Sequence, residues 1–179
     1  MNKSEIRKKI LRIRKQESSK NLKINFEDIT KILKKNKIKY RLVGGYYPYN
    51  HEIDVIKILE KFEKKRYKIS LPKIKKDFQM NFFHWSKNEP LVINKYGIPE
   101  PISDKVIYPD ILLVPLLAFD SRLYRIGYGG GYYDRYIKKI KQKKNITTIG
   151  LAYSFQKIKA VPINKHDIKL DFVITNKIK

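Results

Sequence analysis

Cysteine is absent from all 179 residues, so neither a disulfide framework nor a thiolate metal site can hold this chain together. Long apolar runs are absent as well. Nothing approaches the ~20 consecutive residues that a membrane span needs. The opening stretch, Met1-Asn2-Lys3-Ser4-Glu5-Ile6-Arg7-Lys8-Lys9, has no apolar signal core. Acidic residues are scarce, 17 against 41 Lys and Arg, which leaves a net charge of +24. That excess invites a nucleic-acid reading. However, no zinc finger, basic zipper or RNP motif focuses it, and the lysines are spread through every segment. With the abundance of Ile, Asn and Tyr, this is the bias that an A+T-rich genome imposes on tolerant surface positions. A positive surface serves anionic small substrates equally well. The expectation is a soluble, cytoplasmic monomer acting on small molecules, with no nucleic-acid or membrane partner.

Hydrophobic residues make up 42% of the chain, enough for a proper core, and the length suits one domain over residues 1–179. The spacing of apolar residues predicts a helix from Ser4, as cap, to about Lys15, with Ile6, Ile10 and Ile13 inward. Lys3, Arg7 and Arg14 fall on a neighbouring stripe, where three cations could face one anion. A second helix is expected over Phe26 to Lys35, and a short strand from Tyr40 to Val43. A third helix is expected over about His51 to Lys64, with Asn50 as its cap. Strands follow at Tyr67 to Leu71, ended by Pro72, and at Gln79 to Trp85, with a short one at Leu91 to Asn94. Tyr96 to Pro101 reads as a loop from its Gly and Pro. Ile111 to Val114 is a continuous apolar run, as a central strand covered on both faces requires. Buried strands at Ile146 to Ala152 and Leu170 to Thr175 complete the pattern. Strands alternating with helices imply an α/β fold with a central, largely parallel or mixed sheet flanked by helices.

Glycine is sparse except in one place. Four of the eight glycines fall between Gly127 and Gly131, inside Arg125-Ile126-Gly127-Tyr128-Gly129-Gly130-Gly131-Tyr132-Tyr133-Asp134-Arg135. Clustered glycines forgo side-chain packing and need a positive φ or a close ligand to justify them. Their N–H groups can turn into one concavity that suits phosphate oxygens. A helix from Tyr133 to Lys143 would add the positive end of its dipole. Arg125 and Arg135 bracket the loop with permanent charge, and Asp134 is a hard oxygen ligand suited to Mg²⁺. Neither the P-loop ending nor the G-x-G-x-x-G spacing is present, so a plain aromatic-lined turn is the competing reading.

Taken with Val114-Pro115-Leu116-Leu117-Ala118-Phe119-Asp120, this stretch resembles the signature of the 5-formyltetrahydrofolate cyclo-ligase family, also called 5,10-methenyltetrahydrofolate synthetases. The resemblance runs from Lys3 to Thr175. It implies the fold shared by the ribose-5-phosphate isomerase and CoA-transferase group, and ATP-driven closure of 5-formyltetrahydrofolate to 5,10-methenyltetrahydrofolate with Mg²⁺. Carried over position by position, it puts Lys3, Arg7, Arg125, Gly127, Gly129, Gly130, Gly131, Tyr132 and Tyr133 on ATP. Tyr47, Glu52, Tyr96, Tyr128 and Tyr132 go on the folate, Asp134 and Asp167 on the metal, and Arg125 with Asp134 at the reacting centre. His166, beside Asp167, reads as a solvent-facing loop residue. Three positions depart from the family pattern. Leu116 replaces a glycine common after Val-Pro, and Leu123 stands where members often turn on glycine. Gly130 lies where some members carry a phosphate-binding lysine. A basic RNA-binding protein and a non-catalytic nucleotide-binding regulator are the rival readings.

Overall fold

A computed structural model describes residues 1–17, 22–38 and 41–176. Helix α1 spans Lys3–Glu17, and its cap is Asn2 rather than Ser4. The Asn2 Oδ1 accepts the N–H groups of Ser4 at 2.9 Å and Glu5 at 3.0 Å. The Glu5 carboxylate returns to the Asn2 N–H at 2.9 Å, closing a capping box. Helix α2 (Phe26–Lys35) matches its apolar spacing. Helix α3 is shorter than expected, Ile56–Lys64, and Asn50 does not cap it. Asn50 and His51 adopt left-handed φ values of 47° and 58° in a turn. Val55 is the N-cap instead, and the Asp54 Oδ1 just before it accepts the Ile56 N–H at 3.1 Å.

The strands in chain order are β1 (Leu42–Gly44), β2 (Lys68–Ile74), β3 (Met80–Trp85), β4 (Leu91–Ile93), β5 (Pro99–Pro101) and β6 (Val106–Ile107). After them come β7 (Ile111–Pro115), β8 (Ala118–Phe119), β9 (Arg125–Ile126), β10 (Thr147–Ala152) and β11 (Phe172–Thr175), with helix α4 (Tyr132–Lys141) preceding β10. Tyr40, expected to open β1, lies outside the described residues. The main sheet has seven strands in the order β11-β10-β7-β1-β2-β3-β6. Pairing is parallel from β11 to β2 and antiparallel at β3 and β6, so the sheet is mixed and mostly parallel.

Strand β7 shows why it sits in the middle. Ile111 and Leu113 pack into the cluster under α2 and α3, while Leu112 and Val114 pack into the one under α4. All four are fully buried. A third cluster joins Ile6 and Ile10 of α1 to Leu117, Ala118, Ile126 and Val161. No helix among the described residues is long and apolar enough to cross a membrane.

Two punctuation residues behave differently from expectation. Pro72 does not end its strand: it pairs with Phe82 inside β2. The register of β1 stops at Ser70, so beyond it the β1-facing edge of β2 lacks a ladder partner. Ile74, two residues on and facing the same edge, gives its N–H to the Glu100 carboxylate at 2.8 Å. A proline that lacks an N–H on that edge loses nothing. Likewise, the expected loop at 96–101 contains β5, which pairs with β4. Asn94 builds the turn, its Oδ1 accepting the N–H groups of Tyr96 (2.8 Å) and Ile98 (3.1 Å), with Gly97 at φ 75°.

Candidate active site

One cavity of about 790 Å³ opens where β1, β2 and β7 end, beside Tyr46, Pro72 and Pro115. The carboxyl ends of parallel strands are the usual ligand position in open α/β sheets. Every residue expected at the site lines this cavity. Lys3 and Arg7 come from the first turns of α1, and Tyr47 and Glu52 from the turn after β1. Tyr96 comes from the β4–β5 hairpin, and Arg125 from β9. Gly127, Tyr128, Gly129, Gly130 and Gly131 form the loop after β9. Tyr132, Tyr133 and Asp134 open α4, and Asp167 lies in the segment before β11.

The glycine loop is held open by its neighbours. Gly129 and Gly131 adopt φ values of 108° and 67°, left-handed conformations that L side chains rarely adopt. A Cβ on Gly127 would meet nothing within 4 Å, so its backbone faces open space. The Arg7 Nε donates to the Gly127 carbonyl at 2.8 Å, and Arg135 donates to the Gly130 carbonyl at 2.5 Å. Gly131 precedes the first turn of α4, where unpaired N–H groups and the helix dipole favour an anion.

Beside this loop lie two ion pairs. Lys3 Nζ sits 2.5 Å from the Asp167 carboxylate, and Arg125 Nη2 sits 2.9 Å from Asp134 Oδ1. That same oxygen of Asp134 accepts the Ile168 N–H at 3.0 Å, while Arg125 donates to the Ile168 carbonyl at 2.8 Å. Arg125 therefore braces the segment carrying Asp167 against α4. Its side chain is only 4% exposed. Burial lowers its pKa, and the Asp134 charge opposes that shift. Among the described residues, no three His, Asp or Glu side chains gather where they could hold a metal ion.

The other end of the cavity is rich in tyrosine and holds one carboxylate. The Glu52 side chain is 5% exposed and accepts the Tyr49 N–H at 3.0 Å. Burial pushes its pKa up to about 7, against the pull of Arg14, the Tyr49 N–H and the Tyr128 hydroxyl. Burial also raises the pKa of Tyr46, Tyr128 and Tyr133, keeping these phenols neutral. The Tyr96 and Tyr132 hydroxyls lie 3.5 Å apart, bridging the hairpin and α4 across the mouth.

The profile of the 5-formyltetrahydrofolate cyclo-ligase family matches residues 1–176. The chain belongs to that family. The solved structure of Aquifex aeolicus 5,10-methenyltetrahydrofolate synthetase overlays with a TM-score of 0.80 at 31% identity, covering 99% of this chain and 91% of that one. The Mycoplasma pneumoniae 5-formyltetrahydrofolate cyclo-ligase is 29% identical over 98% of this chain and 99% of its own length. A probable 5-formyltetrahydrofolate cyclo-ligase of Schizosaccharomyces pombe is 35% identical over 51% of this chain and 52% of its own.

As a cyclo-ligase family member, the chain shows how its departures are absorbed. Leu116 is buried at 1% exposure, and its side chain fits beside Gly150 of β10, which has no Cβ in the way. A Cβ on Gly150 would come within 2.8 Å of the Leu116 side chain. Leu123 keeps the turn that glycine would make, at φ 68°. Where a lysine is missing at Gly130, Arg135 and Lys138 of α4 line the cavity instead. Sequence reasoning named Arg135 as a charge bracketing the loop but missed Lys138, and it missed Glu100, whose Oε1 accepts a hydrogen bond from Asn94 Nδ2 at 2.8 Å. His166 is exposed, as expected, but it lines the cavity rim. The three-cation stripe of α1 also divides. Lys3 and Arg7 reach the cavity, whereas Arg14 is buried and turns towards Glu52. A run of Ile6, Ile10 and Arg14 at core spacing was the available signal for that.

Proposed function

We propose that this cavity closes 5-formyltetrahydrofolate to 5,10-methenyltetrahydrofolate at the expense of ATP, releasing ADP and phosphate, and that residues 1–179 act as one cyclo-ligase domain. A formyl amide is a poor electrophile, and expelling its oxygen as hydroxide is prohibitive. Transfer of the γ-phosphoryl group to that oxygen makes phosphate the leaving group. N10 of the folate attacks the activated carbon, loses its proton, and the C–O bond to phosphate breaks as the methenyl bridge forms. Such chemistry needs alignment and charge neutralisation more than a dedicated base.

The observation that carries the reading is a single cavity with two chemically different ends. Lys3, Arg7 and the amides from Gly127 to Gly131 suit a polyphosphate. Glu52, with Tyr47, Tyr96, Tyr128 and Tyr132 around it, suits a pterin, whose amidine-like edge can give two parallel N–H bonds to one carboxylate. Asp134 and Asp167 line the phosphate end between them. They fit Mg²⁺, which takes one or two carboxylates together with phosphate and water rather than an all-protein cage. Bound there, the ion would neutralise phosphate charge, and Arg125 and Lys3 hold the two carboxylates in place for it.

The test is spectrophotometric. Protein, Mg·ATP and 5-formyltetrahydrofolate together should develop methenyltetrahydrofolate absorbance, and omission of any one should abolish it. ATP binding without folate turnover would favour the regulator. Salt-sensitive RNA affinity with no folate-linked ATPase would favour the RNA-binding protein.

A further inference from the structure

Arg14 occupies a place where a leucine would be ordinary. On α1 it follows Ile6 and Ile10 at four-residue spacing, and it is as buried as they are, at 2% exposure. A charge in that position is costly unless it is paired and hydrogen-bonded. Arg14 Nη2 donates to the Leu116 carbonyl at 2.5 Å, and Nη1 donates to the Tyr128 hydroxyl at 3.1 Å. Its acidic neighbour is Glu52, with Oε1 4.0 Å from Nη1. The Tyr128 hydroxyl in turn reaches the Tyr49 carbonyl at 3.4 Å, beside the Tyr49 N–H that holds Glu52.

We propose that Arg14 is a positioning residue for Glu52: anchored on the Leu116 carbonyl and the Tyr128 hydroxyl, it orients that side chain in the cavity and favours its carboxylate form, and so prepares it for the pterin. The inference rests on the reading of Glu52 as the folate-binding carboxylate. It also gives α1 two tasks, since Lys3 and Arg7 on the same helix face the phosphate end.

The groups that act electrostatically on or through Glu52 come from every neighbouring element. They are Arg14 of α1, Tyr46 and Tyr49 of the turn after β1, Tyr128 and Tyr133 of the glycine loop and α4, and Tyr153 after β10. Arg14 is the cation in that set, and burial keeps the phenols of Tyr46, Tyr128, Tyr133 and Tyr153 neutral. Burial favours the protonated form of Glu52, and the guanidinium is what opposes it by charge.

The test compares Arg14→Met and Arg14→Lys with wild type, each also in a Glu52→Gln background. Binding of 5-formyltetrahydrofolate and of ATP is measured separately by calorimetry from pH 6 to 9. In wild type, folate affinity should rise with pH as Glu52 ionises. Arg14→Met should weaken folate binding at pH 7 about tenfold, the scale of one charge-assisted contact. The deficit should shrink by pH 9, because the rise moves to higher pH, while ATP affinity changes much less. Arg14→Lys should lie between the two. Once Glu52 is Gln, Arg14→Met should add little, and the pH dependence should be gone. A merely structural arginine would weaken both ligands alike and leave the folate pH profile in place, and that result overturns the proposal. Should Arg14→Met not fold, an unshifted profile in Arg14→Lys overturns it equally. The ¹³C titration of the Glu52 carboxyl without ligand separates the two readings. Glu52→Gln with normal folate binding would sink the folate assignment, whereas a carboxyl titration that Arg14→Lys leaves unmoved would sink the positioning role.

Discussion

Replacing Glu52 by Gln should change how the ligand-free protein's stability varies with pH, and by a calculable amount. Burial raises the pKa of this carboxyl from 4.5 to about 7. The folded chain therefore binds that proton more tightly than the unfolded chain does. The sign follows: the stabilising contribution is fully present below 4.5 and is lost as pH rises through about 7. At about 1.4 kcal/mol for each pH unit, the whole span amounts to about 3 kcal/mol, of which about 2.5 kcal/mol falls between pH 5 and 8. The side chain is 5% exposed, so solvent screening reduces this little. Other carboxylates also titrate, so the quantity to read is the wild-type unfolding free energy minus that of Glu52→Gln. The substitution leaves Arg14 without its counter-charge, but that is an offset and not a slope. Urea unfolding at half-unit intervals from pH 5 to 8 should show the difference falling by about 2–3 kcal/mol. A difference that stays flat, or rises, would refute the claim that burial dominates at Glu52.

What the sequence made legible follows from what is local. Helix stripes such as Phe26–Ile29–Leu33, and the continuous run that becomes β7, announce their burial through spacing alone. The glycine loop is equally local, because glycine supplies at least cost the left-handed angles at Gly129 and Gly131. The expected site residues could be collected because their motif is contiguous or, at Lys3, Arg7, Glu52 and Asp167, because the family resemblance carried them. The failures share another cause. Pro72 continues its strand because β1 is too short to need its N–H, a fact about a different strand. Asn50 cannot cap α3 because the turn uses it at positive φ. Arg14 read as part of a basic surface stripe, since charge usually marks solvent. Its burial depends on the Leu116 carbonyl and Glu52, which lie 102 and 38 positions away in the chain.

Gly127→Ala should fold normally, since its Cβ would enter open space, yet ATP affinity should fall at least about tenfold if phosphate lies against that backbone. Unchanged affinity by calorimetry would remove Gly127 from the phosphate site. Asp134→Asn should abolish most turnover and also destabilise the fold by roughly 3 kcal/mol, because it leaves the buried Arg125 without its ion-pair partner. A variant of wild-type stability in urea would show that the Ile168 carbonyl suffices for Arg125. At Leu123 the usual order of two small residues should reverse. Its φ of 68° is uncomfortable for any residue with a Cβ, by about 1–2 kcal/mol. The angle is fixed by the turn: the Leu123 N–H donates to the Asp120 carbonyl at 3.0 Å, and the Leu123 carbonyl accepts the Leu170 N–H at 3.0 Å. Leu123→Ala and Leu123→Gly both lose the side chain's packing against the core under α4. Alanine retains the strain and glycine does not, while glycine's greater unfolded-state freedom costs it only ~0.5–1 kcal/mol. Leu123→Gly should therefore unfold at higher urea than Leu123→Ala, by up to about 1 kcal/mol, whereas glycine is the weaker of the two at an ordinary φ. If alanine proves the more stable, the turn relaxes freely and stores no strain at Leu123.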